Sequence, residues 1–368
     1  MRRFITICLA AFFILSSSAS AYYQVIDLGT LSGYTSSSIA RSVNNKGQIV
    51  GYATSATGQT HACLFDPTGG GANIDLGTLG GSNLSYAWSI NDSGQIVGAV
   101  INSSGKYRAC LFDPTGGGAN KDLGTLGGGG SQALSINNSG QIVGTADIPG
   151  VQNHACLFDK TGGGTNKDLG TLGGGEGLAY SINDSGQIVG NARNSSGYYR
   201  ACLFDATGGG ANIDLKTLGG KMSWAYSIND SGQIVGSARN SSDYTRACLF
   251  DPTGGGANID LGTLGGNGSI AHSINDIGQI VGIAWNISSG FGRACLFDPI
   301  GLGNNIDLNT LIDPSSVWIL GTAYSINNNS WIVGEGTNNG QTRAFMLIPE
   351  PASILLFGLG AMLLRKRR

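Results

Sequence analysis

The sequence predicts an all-β repeat protein, a seven-bladed β-propeller with four short strands in each repeat of about 46 residues. Three observations carry this prediction: a unit that recurs seven times, glycine turns between short apolar runs, and a composition with 62 glycines and only 12% charged residues. The 41% apolar content argues against disorder, and the glycines follow no collagen period. An open β-solenoid or linear β array is the alternative.

Three motifs define the repeat. The asparagine of the S-[IV]-N motif recurs at intervals of 46 or 47 residues and a last interval of 52, at Asn44, Asn91, Asn137, Asn183, Asn229, Asn275 and Asn327. The motif D-L-x-T-L starts at Asp27, Asp75, Asp122, Asp168, Asp214, Asp260 and Asp307. The motif [HR]-A-C-L-F-D occurs six times, and its seventh copy has drifted to R-A-F-M-L-I at 343–348.

Each repeat is predicted to hold four strands. In one copy they are 168–172, 178–182, 187–192 and 200–205, and Asn183-Asp184-Ser185-Gly186 forms a hairpin turn between the second and third. The runs "QIV" and "ACLF" are continuously apolar, which indicates strands covered on both faces. The "TGGGAN" segment is a further glycine turn before the next D-L-x-T-L strand.

The phase of the repeats predicts a closed ring. The repeat region opens with a D-L-x-T-L strand at 24–31 and ends with the strand at 343–348. If D-L-x-T-L is the outermost strand of a blade, the first strand completes the seventh blade beside the last one. Closure of this kind removes the free sheet edge that an open array must cap.

The N-terminal segment 1–21 is predicted to be a signal peptide. Arg2 and Arg3 precede an apolar run, and Ala19 and Ala21 bracket Ser20 as an A-x-A cleavage site. We therefore expect the secretion machinery as a partner and an exported mature chain.

The C-terminal segment 349–368 is similar to the PEP-CTERM sorting signal of Gram-negative bacteria. It begins Pro349-Glu350-Pro351, continues with an apolar run of thirteen residues at 352–364, and ends Arg365-Lys366-Arg367-Arg368. The resemblance implies recognition by an exosortase-type sorting enzyme, transient anchoring in the inner membrane through the apolar helix, and final location at the cell surface or in the extracellular matrix.

The repeat domain, residues 22–348, resembles the HAF repeat of bacterial extracellular proteins through S-I-N-D-x-G-Q-I-V-G followed by [HR]-A-x-L. The resemblance covers 24–348 and implies an extracellular location without a reaction. Six copies depart from the family pattern by carrying cysteine where the family has phenylalanine, which only Phe345 keeps.

The charge balance excludes a nucleic-acid-binding surface. Removal of both end segments takes away six basic residues and Glu350, which changes the formal net charge from −2 to about −7. No basic stripe remains in the mature chain.

The six cysteines of the mature chain are predicted to be free thiols. They occupy the same register of successive repeats, so neighbouring positions in a ring lie about 13 Å apart at a strand spacing of ~4.8 Å. A disulfide needs Cα atoms within about 7 Å. The residues are Cys63, Cys110, Cys156, Cys202, Cys248 and Cys295.

No catalytic, metal or cofactor site is predicted. Most aspartates sit at repeat positions, where equivalent environments cannot separate an acid from a base. The N-D-S-G turn lacks the alternating ligands of a calcium loop, and Asn45, Asn138 and Asn328 replace its acid in three copies, so a hairpin turn is favoured over a metal loop. On this basis the chain is expected not to be an enzyme.

A binding role is predicted for the variable loops before the [HR]-A-C-L-F-D strand. They combine aromatic rings, which stack on sugar faces, with amides, which bond hydroxyls. The candidate residues are Tyr107, Tyr198, Tyr199, Tyr244, Asn102, Asn194 and Asn240. The predicted function is a structural or adhesive component of the envelope or matrix. A multivalent polysaccharide-binding module is the alternative, with an extracellular polysaccharide as partner.

Overall fold

The computed structural model describes residues 23–80, 84–150, 153–287 and 290–350, which form seven four-stranded antiparallel sheets. The predicted seven-bladed β-propeller is confirmed. The first strands of neighbouring blades contact each other in a closed cycle, so they surround the axis. The predicted signal peptide with Ala19 and Ala21, and the sorting-signal residues from Pro351 to Arg368, lie outside the described residues.

The strands follow the chain from blade to blade. The chain enters through β1 (Tyr23–Asp27). Blade 1 holds β2 (Ser37–Val43), β3 (Ile49–Thr54), β4 (Thr60–Phe65) and β5 (Ile74–Asp75). Blade 2 holds β6 (Ser85–Ile90), β7 (Ile96–Ile101), β8 (Tyr107–Phe112) and β9 (Lys121–Asp122). Blade 3 holds β10 (Ser131–Ile136), β11 (Ile142–Asp147), β12 (Asn153–Phe158) and β13 (Lys167–Gly170).

The remaining blades repeat the order. Blade 4 holds β14 (Gly173–Ile182), β15 (Ile188–Asn194), β16 (Tyr199–Phe204) and β17 (Ile213–Asp214). Blade 5 holds β18 (Gly219–Ile228), β19 (Ile234–Asn240), β20 (Thr245–Phe250) and β21 (Ile259–Asp260). Blade 6 holds β22 (Gly265–Ile274), β23 (Ile280–Asn286), β24 (Gly292–Phe297) and β25 (Ile306–Asp307). Blade 7 holds β26 (Trp318–Ile326), β27 (Ile332–Asn338) and β28 (Gln341–Pro349), after a 3₁₀ turn at Leu308–Leu311.

Strand β1 closes the ring as the outermost strand of blade 7. It pairs antiparallel with β28 from Tyr23 opposite Pro349 to Asp27 opposite Phe345. The predicted closure by the first and last strands is therefore confirmed. Because Tyr23 lies opposite Pro349, the chain enters and leaves the ring on the same face.

The outermost strands are shorter than predicted. D-L-x-T-L was expected to be a five-residue strand, but most copies keep only two paired residues, as in β5. The Asp75 carboxylate accepts a hydrogen bond from the backbone N–H of Gly77 at 2.8 Å, and Gly77 has φ +67°. This left-handed turn bends the chain out of the sheet and toward the next blade.

Seven equivalent apolar clusters hold the blades together. The cluster between blades 3 and 4 joins Val143 and Ala155 to Ile188 and Phe204 across the interface. The "QIV" and "ACLF" strands are buried on both faces, as predicted, because each blade is covered by two neighbours.

The glycine of Q-I-V-G is demanded by close packing. An ideal Cβ on Gly190 would lie 1.9 Å from the carbonyl oxygen of Leu178 on the innermost strand. The register of that strand shifts between Ala179 and Ser181, and this bulge brings the carbonyl against the glycine.

Candidate functional site

The propeller has two faces that are built from different loops. The N-D-S-G turns join the first and second strands of each blade at one end of the axis, here called the turn face. The loops between the second and third strands lie at the opposite end, here called the rim face. The predicted hairpin turns and the predicted binding loops are therefore on opposite sides of the molecule.

The asparagines of the turns form a closed hydrogen-bonded ring. Asn183 Nδ2 donates to the backbone carbonyl of Asn229 at 3.0 Å, and Asn327 Nδ2 closes the cycle on Asn44 at 2.8 Å. The other donors in this turn ring are Asn44, Asn91, Asn137, Asn229 and Asn275. These asparagines are almost fully buried, so the turn serves the joining of blades as well as the hairpin.

A second ring is built from the residue that follows each asparagine. The backbone N–H of each turn bonds the side chain of the next turn, as from Asp184 to Asp230 Oδ1 at 2.9 Å. The members are Asn45, Asp92, Asn138, Asp184, Asp230, Asp276 and Asn328, around a cavity of about 230 Å³. Burial, and then the charges of Asp276 and Asp184, raise the pKa of Asp230. Within the described ranges, no group of three or more His, Cys, Asp or Glu side chains is placed to hold a metal ion.

The six cysteines are free and buried, as predicted. Each lies opposite the close-packed glycine of the second strand, as Cys202 lies opposite Gly190. Burial raises the pKa of the Cys110 thiol to about 12, so the thiol is neutral at physiological pH. The cysteines act as small packing residues and supply no nucleophile.

The histidines that replace the repeat arginine pair within their own blade. His61 Nδ1 lies 2.8 Å from Asp75 Oδ2, and His154 Nδ1 lies 2.8 Å from Asp168 Oδ2. Arg108 makes the equivalent contact with Asp122. These pairs tie the third strand to the fourth.

The predicted rim asparagines serve their own turns. Asn194 Oδ1 accepts the backbone N–H of Ser196 and of Tyr198, at 3.0 and 3.1 Å. Asn102 and Asn240 make the same bonds in blades 2 and 5. Their amide NH₂ groups are the part left to face a ligand.

The four predicted rim tyrosines are spread over three blades. Tyr107, Tyr198 and Tyr244 are 39%, 37% and 48% exposed, in blades 2, 4 and 5. Tyr199 is half-buried, where its hydroxyl donates to Glu176 and the Arg193 guanidinium lies over its ring at 4.6 Å. The four tyrosines therefore do not form one shared site.

Tyr107 lines a groove on the rim face between blades 2 and 3. This rim groove has a volume of about 390 Å³. Its polar walls are formed by Lys106, Gln132, Asp147 and Asn153. Asp147 Oδ2 accepts the N–H of Gly130 at 2.8 Å, which fixes the carboxylate at the edge of the groove.

A site that the sequence did not reveal lies on the axis. The residue three positions before each turn asparagine points into a cavity of about 290 Å³, here called the axial chamber. Its lining residues are Arg41, Trp88, Leu134, Tyr180, Tyr226, His272 and Tyr324. Neighbouring rings contact each other, with centroids 5.3 Å apart for Tyr180 and Tyr226 and 5.3 Å apart for His272 and Tyr324.

The electrostatics of the axial chamber depend on Arg41. Its guanidinium carbon lies 4.1 Å from the ring centre of Tyr324 and 4.8 Å from that of Trp88. Desolvation, and then the charge of Arg41, lower the pKa of His272 to about 3, so this imidazole is neutral at physiological pH. The chamber is thus an aromatic space with one fixed positive charge in its ring.

Comparison with known proteins identifies the C-terminus. Residues 347–368 match the family model of the PEP-CTERM protein-sorting motif, which confirms the sorting signal that includes Pro349 and Glu350. The chain is therefore exported and membrane-sorted, with a signal of the kind that exosortase-type enzymes recognise. In the described part of the chain, no helix has the length and apolarity needed to cross a membrane.

The repeat domain is similar in overall shape to one enzyme of known structure. A gluconolactonase from Xanthomonas campestris matches with 11% identity and a TM-score of 0.42, over 91% of this chain and 93% of that one. The prediction that the chain is not an enzyme is corrected by this finding, since the matching protein is itself an enzyme. At this identity the likeness does not assign its activity here. No curated protein matches the sequence, and the resemblance to the HAF repeat finds no support.

Proposed function

We propose that this exported propeller is an adhesive component of the envelope or matrix that binds a polysaccharide through the rim groove. The observation that carries the proposal is the groove itself, which sets the exposed ring of Tyr107 beside ammonium, amide and carboxylate groups in about 390 Å³. A groove of this size accommodates one or two sugar units.

The chemistry of the groove suits a sugar. An aromatic face stacks on the apolar face of a pyranose, while Gln132 and Asn153 can both donate to and accept from hydroxyls. Lys106 and Asp147 add charged hydrogen-bonding groups that strengthen such contacts.

The position of the groove supports an outward role. Both Tyr23 and Pro349 leave the ring at the turn face, so a chain held by its C-terminus presents the rim face away from the attachment point. The loops on that face are then free to meet extracellular material.

The test is glycan-array binding of the exported protein, followed by calorimetric titration of each glycan found. Tyr107→Ala should weaken binding about tenfold or more, because the stacking surface is lost. Tyr244→Ala is the matched control, since Tyr244 is at least as exposed but lies outside the groove. Unchanged binding by Tyr107→Ala, or no glycan bound, would contradict the proposal.

A further inference from the structure

We infer that the axial chamber is a second binding site, which takes a small ring-shaped ligand bearing a carboxylate, with Arg41 as the residue that holds the carboxylate. This inference concerns a different site from the rim groove and does not depend on polysaccharide binding there.

The first argument is a break in symmetry. The repeats are nearly identical around this position, where Ser-Ile-Asn or Ser-Val-Asn follows one residue later in every copy. The chamber position itself reads Arg41, Trp88, Leu134, Tyr180, Tyr226, His272 and Tyr324. Packing within the blades places the same demands on all seven copies, so it gives no reason for this diversity. A single asymmetric ligand on the axis does give one.

The second argument is the state of Arg41. Its guanidinium stacks between Trp88 and Tyr324, which holds the planar group in place. Among the residues that the structure describes, no ion pair or hydrogen bond involves this guanidinium. Its five N–H donors are therefore available, and the fork that they form matches the two oxygens of a carboxylate.

Glu335, the acid bonded to Tyr324, does not take that role. Glu335 Oε1 accepts the hydroxyl hydrogen of Tyr324 at 2.8 Å, which holds the carboxylate against the tyrosine. Burial first, and then the charge of Glu335, raise the pKa of Tyr324, whereas Arg41 lowers it. Both charges thus act on the chamber, and Glu335 weakens the attraction of an anion to Arg41.

The size and walls of the chamber set the shape of the ligand. About 290 Å³ is at the lower end of the range for small-molecule pockets, so one six-membered ring with its carboxylate fits. The tyrosine rings and Trp88 offer stacking surfaces for that ring. At the turn face the acidic ring of Asp92, Asp184, Asp230 and Asp276 repels anions, so the ligand enters from the rim face.

The experiment is titration of the full exported protein with D-glucuronate and with benzoate, read by calorimetry and tryptophan fluorescence. D-glucose and benzyl alcohol are the neutral controls for the two rings. We expect at least one carboxylate to bind about tenfold more tightly than its neutral control. Binding of glucuronate alone identifies a sugar acid, and binding of benzoate alone identifies an aromatic acid.

Variants separate this site from the rim groove. Arg41→Leu should reduce carboxylate binding about tenfold or more, and it should fold, because Leu134 already occupies the equivalent position in blade 3. Glu335→Gln should strengthen binding several-fold, since it removes the repelling charge but keeps an acceptor for Tyr324. Tyr107→Ala should leave carboxylate binding unchanged.

Two results would overturn the inference. One is that neither carboxylate binds, or that each neutral control binds as well as its acid. The other is that Arg41→Leu, shown to be folded by circular dichroism, binds the carboxylate as tightly as the parent protein. Loss of glycan binding by Tyr107→Ala bears on the rim groove alone.

Discussion

The turn ring predicts that two asparagines in similar turns of the same blade stabilise the protein by very different amounts. In blade 5, Asn229 and Asn240 each cap a four-residue turn with their Oδ1 atoms. Asn229 is only 3% exposed, and its Nδ2 also donates to Asn275 of the next blade at 3.0 Å. Asn240 caps a turn on the open rim face.

Replacement of Asn229 by alanine removes three bonds. The N–H of Gln233 loses its acceptor at 2.8 Å, Gln233 Oε1 loses its donor, and the bond to blade 6 is lost. Each buried polar group left without a partner costs about 1–3 kcal/mol. Because the carbonyl of Asn275 keeps its bond from Gly278, we expect a total loss of about 2–4 kcal/mol. Asn240→Ala should cost about 1 kcal/mol, since water replaces the lost acceptor.

Urea denaturation followed by circular dichroism measures both losses as changes in the free energy of unfolding. The two substitutions delete the same atoms from the same kind of turn, so their difference reports the two bonds that Asn229 Nδ2 donates, to Gln233 and to the next blade, together with their burial. Equal losses for Asn229→Ala and Asn240→Ala would refute the reasoning.

Three further predictions follow from the same geometry. Gly190→Ala should lower the free energy of unfolding by about 1–3 kcal/mol, because its Cβ would lie 1.9 Å from a carbonyl oxygen. Gly163→Ala is the control, since a Cβ there meets open space, and it should change the free energy by less than about 0.5 kcal/mol. Equal effects of the two substitutions in urea denaturation would contradict the close approach. Iodoacetamide should label all six cysteines of the exported protein after denaturation without reductant, and none before it; fewer than six adducts by intact mass would indicate disulfides. The free energy of unfolding should fall as the pH drops from 6.5 toward 3, because His272 becomes protonated in the unfolded chain but, with a pKa of about 3, stays neutral in the folded one. The stability of the His272→Phe variant should fall less over that range. Parallel pH profiles for the two proteins would count against a neutral buried imidazole.

Much of the fold could be predicted from the sequence because the spacing of a repeated motif can be read directly from it. The seven copies of the S-[IV]-N motif, at intervals of 46 to 52 residues, predicted the number of blades, and the phase of the first and last strands predicted the closure at Asp27 and Phe345. The lengths of the outermost strands were wrong, since the Asx turn at Asp75 ends pairing after two residues. Strand propensity does not show where a side chain will accept a backbone N–H and so end the pairing with the neighbouring strand.

The axial chamber could not be predicted in the same way. The first three strands of a blade are all covered by neighbouring blades, so their apolar patterns do not show which strand is innermost. The bulge between Ala179 and Ser181 also breaks the alternation that would have marked Tyr180 as facing the axis. A signal was nevertheless present, because the position before Ser-Ile-Asn varies in chemistry while its surroundings do not.

The rim loops show the opposite error of emphasis. Their tyrosines and asparagines suggested a shared site, yet Asn194 and its counterparts cap their own turns, and the rim groove contains Tyr107 without the other three tyrosines. The sequence contained the cue, since N-S-S-G has the same Asx-turn pattern as N-D-S-G.

The pairing of β1 with β28 ends at Pro349, which lies inside the matched sorting motif, residues 347–368. Cleavage on the carboxyl side of this proline would leave the ring closed, because every residue pair between β1 and β28 would remain. Cleavage a few residues earlier would remove some of these pairs and weaken the attachment of the first strand. The folded ring and the sorting motif thus share residues 347–349, which pair with the first strand.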